Sequence, residues 1–202
     1  MALAHELKDR RTEGKALGYL GNAYDFLGDY AKAIEYHQQD LAIARDFKDR
    51  RSEGKAVSNL GLVYFHLGDY TKAIEHQQQD LAIAREFKDR QGEGRVLGNL
   101  GMAYLHLGNP TKAIEYQKQW LAIAQSINDH QSEGQALSNL GVALFKSGNL
   151  TAKDGVYQVR SLWLQMVRMT DYSLPPKFST WVSELNYQST LISEDRLLAT
   201  RP

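Results

Sequence analysis

Cysteine is absent from all 202 residues, which excludes disulfides, thiolate metal sites and cysteine nucleophiles and leaves the redox compartment open. Net charge is lacking as well. Twenty-four basic and 24 acidic side chains sum to zero, which argues against a protein that holds nucleic acid through a broad basic surface. No run approaches the eighteen or more apolar residues of a membrane span, and the opening MALAHELKDR has no basic region followed by an apolar stretch of signal-peptide length. A cytoplasmic protein without membrane association is the expectation. Proline is scarce, at four residues against 16 glycines, so few positions forbid a helix. Hydrophobic residues at 43% and charged residues at 24% place the chain in the ordinary folded class, with length for one or two domains.

The glycines are periodic. Gly14, Gly54, Gly94 and Gly134 form one series, Gly21, Gly61, Gly101 and Gly141 a second, and Gly28, Gly68, Gly108 and Gly148 a third, each spaced by 40 residues. Residues 11–50 and 51–90 share 28 identities in 40 positions, far more than common helical composition produces, so the chain is built by duplication. A third copy occupies 91–130. A fourth opens at 131 and decays, so that 131–167 reads as a degenerate repeat or cap and 168–202 as a non-repeat tail. Residues 1–10 match 41–50 at five of ten positions and read as the end of a preceding repeat.

Each unit divides into two helices. Ala16, Leu17, Leu20, Ala23, Tyr24 and Leu27 recur at steps of three and four, the stripe of a helix with one buried face. Tyr30, Ala33, Ile34, Leu41 and Ala44 repeat the pattern in the second half, with His37 at an interior-facing step. Between these helices, A and B, stand Gly28, Gly68, Gly108 and Gly148, suited to a left-handed helix end, followed by Asp29, Asp69, Asn109 and Asn149 as caps. Pro110 marks the first turn of one helix B. Gly21, Gly61 and Gly101 inside helix A each sacrifice about 1 kcal/mol relative to alanine, and a close approach of helix B at Ala33, Ala73 and Ala113 is the expected reason. Antiparallel pairs of this kind must stack on their neighbours to bury both apolar faces, giving a solenoid with a concave wall.

The succession Leu20-Gly21, Tyr24, Gly28, Tyr30, Ala33 and its copy Leu60-Gly61, Tyr64, Gly68, Tyr70, Ala73 closely resembles the tetratricopeptide repeat. The forty-residue period is similar to the extended variety of kinesin light chains, cell-polarity adaptors and bacterial, especially cyanobacterial, arrays. The resemblance implies an all-α fold, an alpha-alpha superhelix in which antiparallel helix pairs form a solenoid. One departure stands out, since the small residue usual late in helix B is Asp40, Asp80 and then Trp120. The resemblance also implies a concave groove lined by helix A that holds a peptide or helical segment of a protein partner. Carried across, the groove positions include Lys15, Asn22 and Phe26 in the first unit, Lys55, Asn59, Phe65 and His66 in the second, Arg95, Asn99, Met102 and His106 in the third, and Asn139 in the last.

Plainer readings stand beside these. Asn59, Asn99 and Asn139 match a position that grips a bound backbone, yet asparagines there also cap turns or contact the adjacent repeat. His66 and His106 occupy equivalent places in successive units, about 10 Å apart, too far for joint metal ligation. No nucleophile constellation, phosphate loop, HExxH or GxSxG pattern occurs, so neither catalysis nor a cofactor or metal is expected. The KDRR run at 48–51 reads as a solvated turn between repeats. The expected function is a protein-binding scaffold. The alternative is a structural spacer that self-associates into a homo-oligomer through its repeat ends. Beyond residue 150, Trp163, Trp181, Leu185 and Tyr187 would need cover from the last repeat or a partner.

Overall fold

A computed structural model describes residues 2–148, with side chains from residue 9 onward. The expectations for 149–202, including the later part of the degenerate repeat or cap at 131–167 and the apolar residues of the tail, lie outside the described residues. Seven helices occupy the described part: α1 (Ala2–Phe26), α2 (Tyr30–Asp46), α3 (Arg50–Leu67), α4 (Tyr70–Glu86), α5 (Arg90–His106), α6 (Pro110–Ser126) and α7 (His130–Lys146). They form an all-α repeat of paired antiparallel helices. The chain divides into two compact units, residues 1–108 and 109–202. In the first, α1 to α5 pack each against the next in sequence order; in the second, α6 packs on α7.

Two kinds of turn alternate. Within a repeat, Gly28, Gly68 and Gly108 take φ of 78°, 86° and 82°, the left-handed region where glycine has no Cβ penalty. Asp29, Asp69 and Asn109 then cap the following helix by accepting from the amides of Lys32, Lys72 and Lys112, leaving fewer unpaired donors in its first turn. Pro110 begins α6, where its missing N–H costs nothing.

Between repeats the left-handed position is held by Lys48, Lys88 and Asn128, at φ of 52°, 55° and 55°. A side chain there costs about 1–2 kcal/mol. Opposing it, the amides of Asp49, Asp89 and Asp129 bond back to the carbonyls of Ala44, Ala84 and Ala124 at 2.9 Å, and their carboxylates cap α3, α5 and α7. The same Lys-Asp-Arg sequence at 8–10 makes no turn, because α1 runs through it unbroken. Residues 2–10 are thus helical and continuous with the first helix A.

The core of the first unit gathers Leu41, Ala56, Val57, Leu60, Tyr64 and Ala73, with Ile34 and Phe65 at its margin. Fully burying an aliphatic side chain such as Leu60 contributes about 1.5–3 kcal/mol. Repeat position decides exposure. Leu60 and Leu100 are 1% and 0% exposed where the equivalent Leu20 is 44% exposed, because α2 covers α3 and α4 covers α5, while no described helix lies on the corresponding side of α1.

The close approach expected at the helix A glycines has a different partner. A Cβ on Gly21 would lie 2.6–2.7 Å from the imidazole of His37, and one on Gly61 2.6 Å from the Gln77 amide nitrogen. These glycines make room for a buried polar side chain of helix B, not for the alanines Ala33 and Ala73. His37 is fully buried, and neither ring nitrogen has a hydrogen-bond partner.

Candidate functional site

Lys15, Lys55 and Arg95 stand 40 residues apart on α1, α3 and α5. The structure brings the last two to one cleft of about 300 Å³, between α3, α4 and α5. Arg51 and Lys55 reach it from one helical face, since they are one turn apart. Between them Gly54 leaves the floor open: a Cβ there would come within 3.0 Å of the Ile83 side chain. Phe87 forms one wall, with the Arg51 guanidinium 5.1 Å from its ring centroid, a cation–π distance.

At the base is Asp80, 5% exposed. The Arg95 guanidinium donates to the Ser58 hydroxyl at 3.0 Å and holds its other nitrogen 3.7 Å from Asp80 Oδ2, too long for a hydrogen bond. That carboxylate oxygen has no hydrogen-bond partner. Burial pushes the Asp80 carboxyl above its ordinary pKa, and the Ser58 hydroxyl and Arg95 pull it back. Asp40, one repeat earlier and half-buried, is raised to about 6 by burial. Lys55 remains exposed and makes no ion pair among the described residues. The cleft thus offers cations at its rim and a buried carboxylate, ion-paired to Arg95, at its base.

Asn59, Asn99 and Asn139 are all half-buried. Asn99 donates to the Gln77 side-chain oxygen at 3.5 Å, and the Gln77 amide donates to the Ser58 carbonyl at 3.4 Å. Both distances are at the long limit for hydrogen bonds, so Asn99 is only loosely held by the preceding repeat. Asn139 lies on α7 in the second unit. Asn22 is exposed on α1, in register with half-buried Met102 and not with the other asparagines.

Phe65, His66 and His106 join a separate cluster beside the glycine turns. His106 stacks on Tyr70 at 5.1 Å and meets the Phe65 ring edge-on at 5.3 Å. His66 Nδ1 lies 2.9 Å from Asp25 Oδ1, with Tyr30 nearby. Each histidine therefore ties its repeat to the preceding one. Phe26 in the equivalent place on α1 is 92% exposed. Among the described residues no group of three or more His, Cys, Asp or Glu is placed to hold a metal ion, and no helix is long and apolar enough to cross a membrane.

Sequence reasoning named Lys55 and Arg95 but passed over Asp80, Arg51 and Phe87 as part of the same site. One signal was present: an acid stands where the repeat pattern prefers a small residue. Its juxtaposition with cations 25 and 15 positions away needed the packing of three helices.

The models of the tetratricopeptide repeat match residues 16–51, 53–126 and 94–152. Among solved structures the chain is similar to BtubC (BKLC) from P. vanneervenii, at 21% identity and a TM-score of 0.68, over 81% of this chain and 66% of that one. It is similar to the apo form of RapI at 15% identity and a TM-score of 0.74, over 95% of this chain and 55% of that one. A putative kinesin light chain from Podospora anserina with nearly identical TPR-like repeats matches at 19% identity and a TM-score of 0.67, over 93% and 97%. The chain thus spans less than two thirds of the length of the first two. At these identities the likeness is one of fold. No curated protein matches the chain.

Proposed function

Because the chain belongs to the tetratricopeptide repeat family, whose fold mediates protein–protein interaction through a concave groove, we propose that it is a binding module for a protein or peptide segment and performs no chemistry of its own. The observation that carries this reading is the cleft where Lys55 and Arg95, from successive repeats, meet over Asp80. Its action is positional. Lys55 and Arg95 attract and orient polar groups of a bound segment, half-buried Asn59 and Asn99 supply amides to its backbone, and Phe87 and Ile83 supply apolar area. Many moderate contacts then add up along successive units.

Pull-down from a lysate tests this with the native chain beside a variant carrying Asn59→Ala, Asn99→Ala and Asn139→Ala. The expected result is loss of one captured protein with helicity retained. An identical capture profile overturns the role of the asparagine row, and the same profile after Lys55→Glu with Arg95→Glu overturns the groove itself.

A second reading, self-association through the repeat end, is supported by α1. Ala16, Leu20 and Ala23 are exposed there, although the equivalent Ala56, Leu60 and Val63 are buried by α2. Since residues 11–50 and 51–90 share 28 of 40 positions, α1 offers a second copy nearly the surface that α3 offers α2. Sedimentation velocity across a concentration range tests it, and a strictly monomeric chain counts against it.

A further inference from the structure

Helices α3, α5 and α7 each receive the helix before them in the same way. The covering helix, α2, α4 or α6, accompanies burial of Leu60, Leu100 and Leu140 to 1%, 0% and 7% exposure. Its end also donates to a glutamate in the first turn of the helix it covers: Arg45 to Glu53 at 3.0 Å, Arg85 to Glu93 at 2.8 Å and Gln125 to Glu133 at 2.9 Å. Both arginine and glutamine fill the donor place. The junction therefore requires an N–H at a fixed height beside an apolar stripe, and a charge is optional.

On α1 the acceptor and the stripe are both present without their partners. Glu13 stands at the glutamate position, exposed and with no hydrogen bond or ion pair among the described residues. Ala16, Leu20 and Ala23 are exposed beside it. A matching donor lies at the far end of the repeat pattern. Forty residues beyond Gln125 the sequence has Gln165. Its neighbour Leu164 falls at the place of Ala44, Ala84 and Ala124, which are 3%, 7% and 1% exposed. No carboxylate follows in register to receive that donor, since the position 40 beyond Glu133 is Ser173 and the capping aspartate gives way to Met169. The pattern thus has one acceptor without a donor and one donor without an acceptor.

We infer that the chain associates head to tail: the segment 150–167 of one copy covers α1 of the next as α2 covers α3, with Gln165 donating to Glu13 and Leu164 packing beside Ala16 and Leu20. The two surfaces are different parts of the chain, so the contact is heterologous and extends from copy to copy instead of closing as a two-fold pair. The 28 identities shared by residues 11–50 and 51–90 make α1 a close copy of the surface on which α2 already sits. This inference rests on the self-association reading above and adds to it the segment that binds and the polarity of the contact.

Sedimentation velocity of the full chain over a wide concentration range tests it, with circular dichroism to check helicity. Native protein is expected to grow past a dimer as its concentration rises. Leu20→Glu blocks the receiving face and Leu164→Glu the inserted segment, so each alone should stay monomeric. An equimolar mixture of the two keeps one good junction and should form a one-to-one pair. Gln165→Arg recreates the donor of the first two junctions and should tighten association about fivefold, because a charged donor bonds a carboxylate more strongly. Adding Glu13→Gln should remove that gain. A mixture of the two blocked variants that stays monomeric with helicity intact overturns the inference, as does Gln165→Arg protein that associates no more tightly than native. Native association that stops at a two-fold dimer overturns it too. Should Leu164→Glu lose helicity, the Gln165→Arg comparison decides alone. In each of these failures a native chain whose mass rises with concentration still upholds self-association, whereas a native chain that is monomeric throughout overturns both.

Discussion

His37 occupies the place that Gln77 fills one repeat later, and the exchange has a measurable cost. Both of its ring nitrogens are buried without partners, whereas the Gln77 amide reaches the Ser58 carbonyl and its oxygen accepts from Asn99. Burial lowers the His37 pKa, so the unfolded chain binds more protons and stability falls as pH drops below about 6.5. His37→Gln is expected to stabilise the protein by about 1 kcal/mol at pH 7 and to flatten its stability profile between pH 7 and 5, as read by urea denaturation. Asp40 behaves oppositely in sign. Its pKa is raised to about 6 from 3.8, so the folded state binds the extra proton and stability declines as pH rises from about 4 to 6. Asp40→Asn should therefore gain on the order of 1–2 kcal/mol at pH 7 and nothing below pH 4. A gain that persists at pH 3.5 would refute that account. Gly21 and Gly61 test the same packing from the other side. Gly21→Ala meets a rigid imidazole and should lose about 2 kcal/mol, whereas Gly61→Ala meets the end of a flexible amide and should lose less, a difference visible in paired thermal melts.

Between helices, the repeat boundary is held by a charged clip that recurs. Arg45 at the end of α2 and Arg50 at the start of α3 both bond Glu53, at 3.0 and 2.7 Å, and Arg85 and Arg90 do the same to Glu93 at 2.8 and 2.6 Å. The two glutamates are mostly buried at 14% and 11% side-chain exposure while their arginines are half-exposed. Burial pushes the Glu53 carboxyl up, but the hydrogen bonds and charges of Arg50 and Arg45 outweigh it and leave its pKa lowered. Glu53→Gln or Glu93→Gln is expected to cost about 1 kcal/mol, with the loss shrinking in high salt because the arginines are solvated. Denaturation midpoints in low and high salt check this. The KDRR run, read from the sequence as a solvated turn, contributes Arg50 to the clip, and Arg50 reaches across to Glu86 at 2.9 Å as well. Its excess charge is thus partly spent inside the protein. Helix boundaries at Gly28 and Gly68 were legible from residue type alone, since their requirement is a local dihedral. The left-handed Lys48 and Lys88 were not, because no lysine announces that conformation; it is imposed when two packed helices leave a gap of fixed length.

At the scale of the molecule, stacked repeats make stability a sum of nearest-neighbour terms, and among the described residues the apolar face of α1 lacks cover at Leu20. If self-association operates, Leu20→Glu should abolish any concentration dependence in sedimentation and leave helicity unchanged, because Leu20 is already 44% exposed. Leu60→Glu, by contrast, should unfold the first unit, since the same side chain is 1% exposed one repeat later. Two equivalent leucines with opposite outcomes would establish that neighbour packing, and not the residue, sets the cost. The sequence by itself determined the all-α class, the helix pairs, the 40-residue period and the basic row at Lys15, Lys55 and Arg95. All of these follow from periodicity and from dihedral preferences that act over a few residues. Only the tertiary structure decided what faces what. It set His37 and Gln77 against the helix A glycines, drew His66 and His106 into contacts between repeats, and placed Arg51, Lys55 and Arg95 around Asp80. The physical reason is that a one-dimensional period gives each residue its register on a helix, whereas burial, charge pairing and unsatisfied hydrogen bonding depend on which neighbouring helix closes over it.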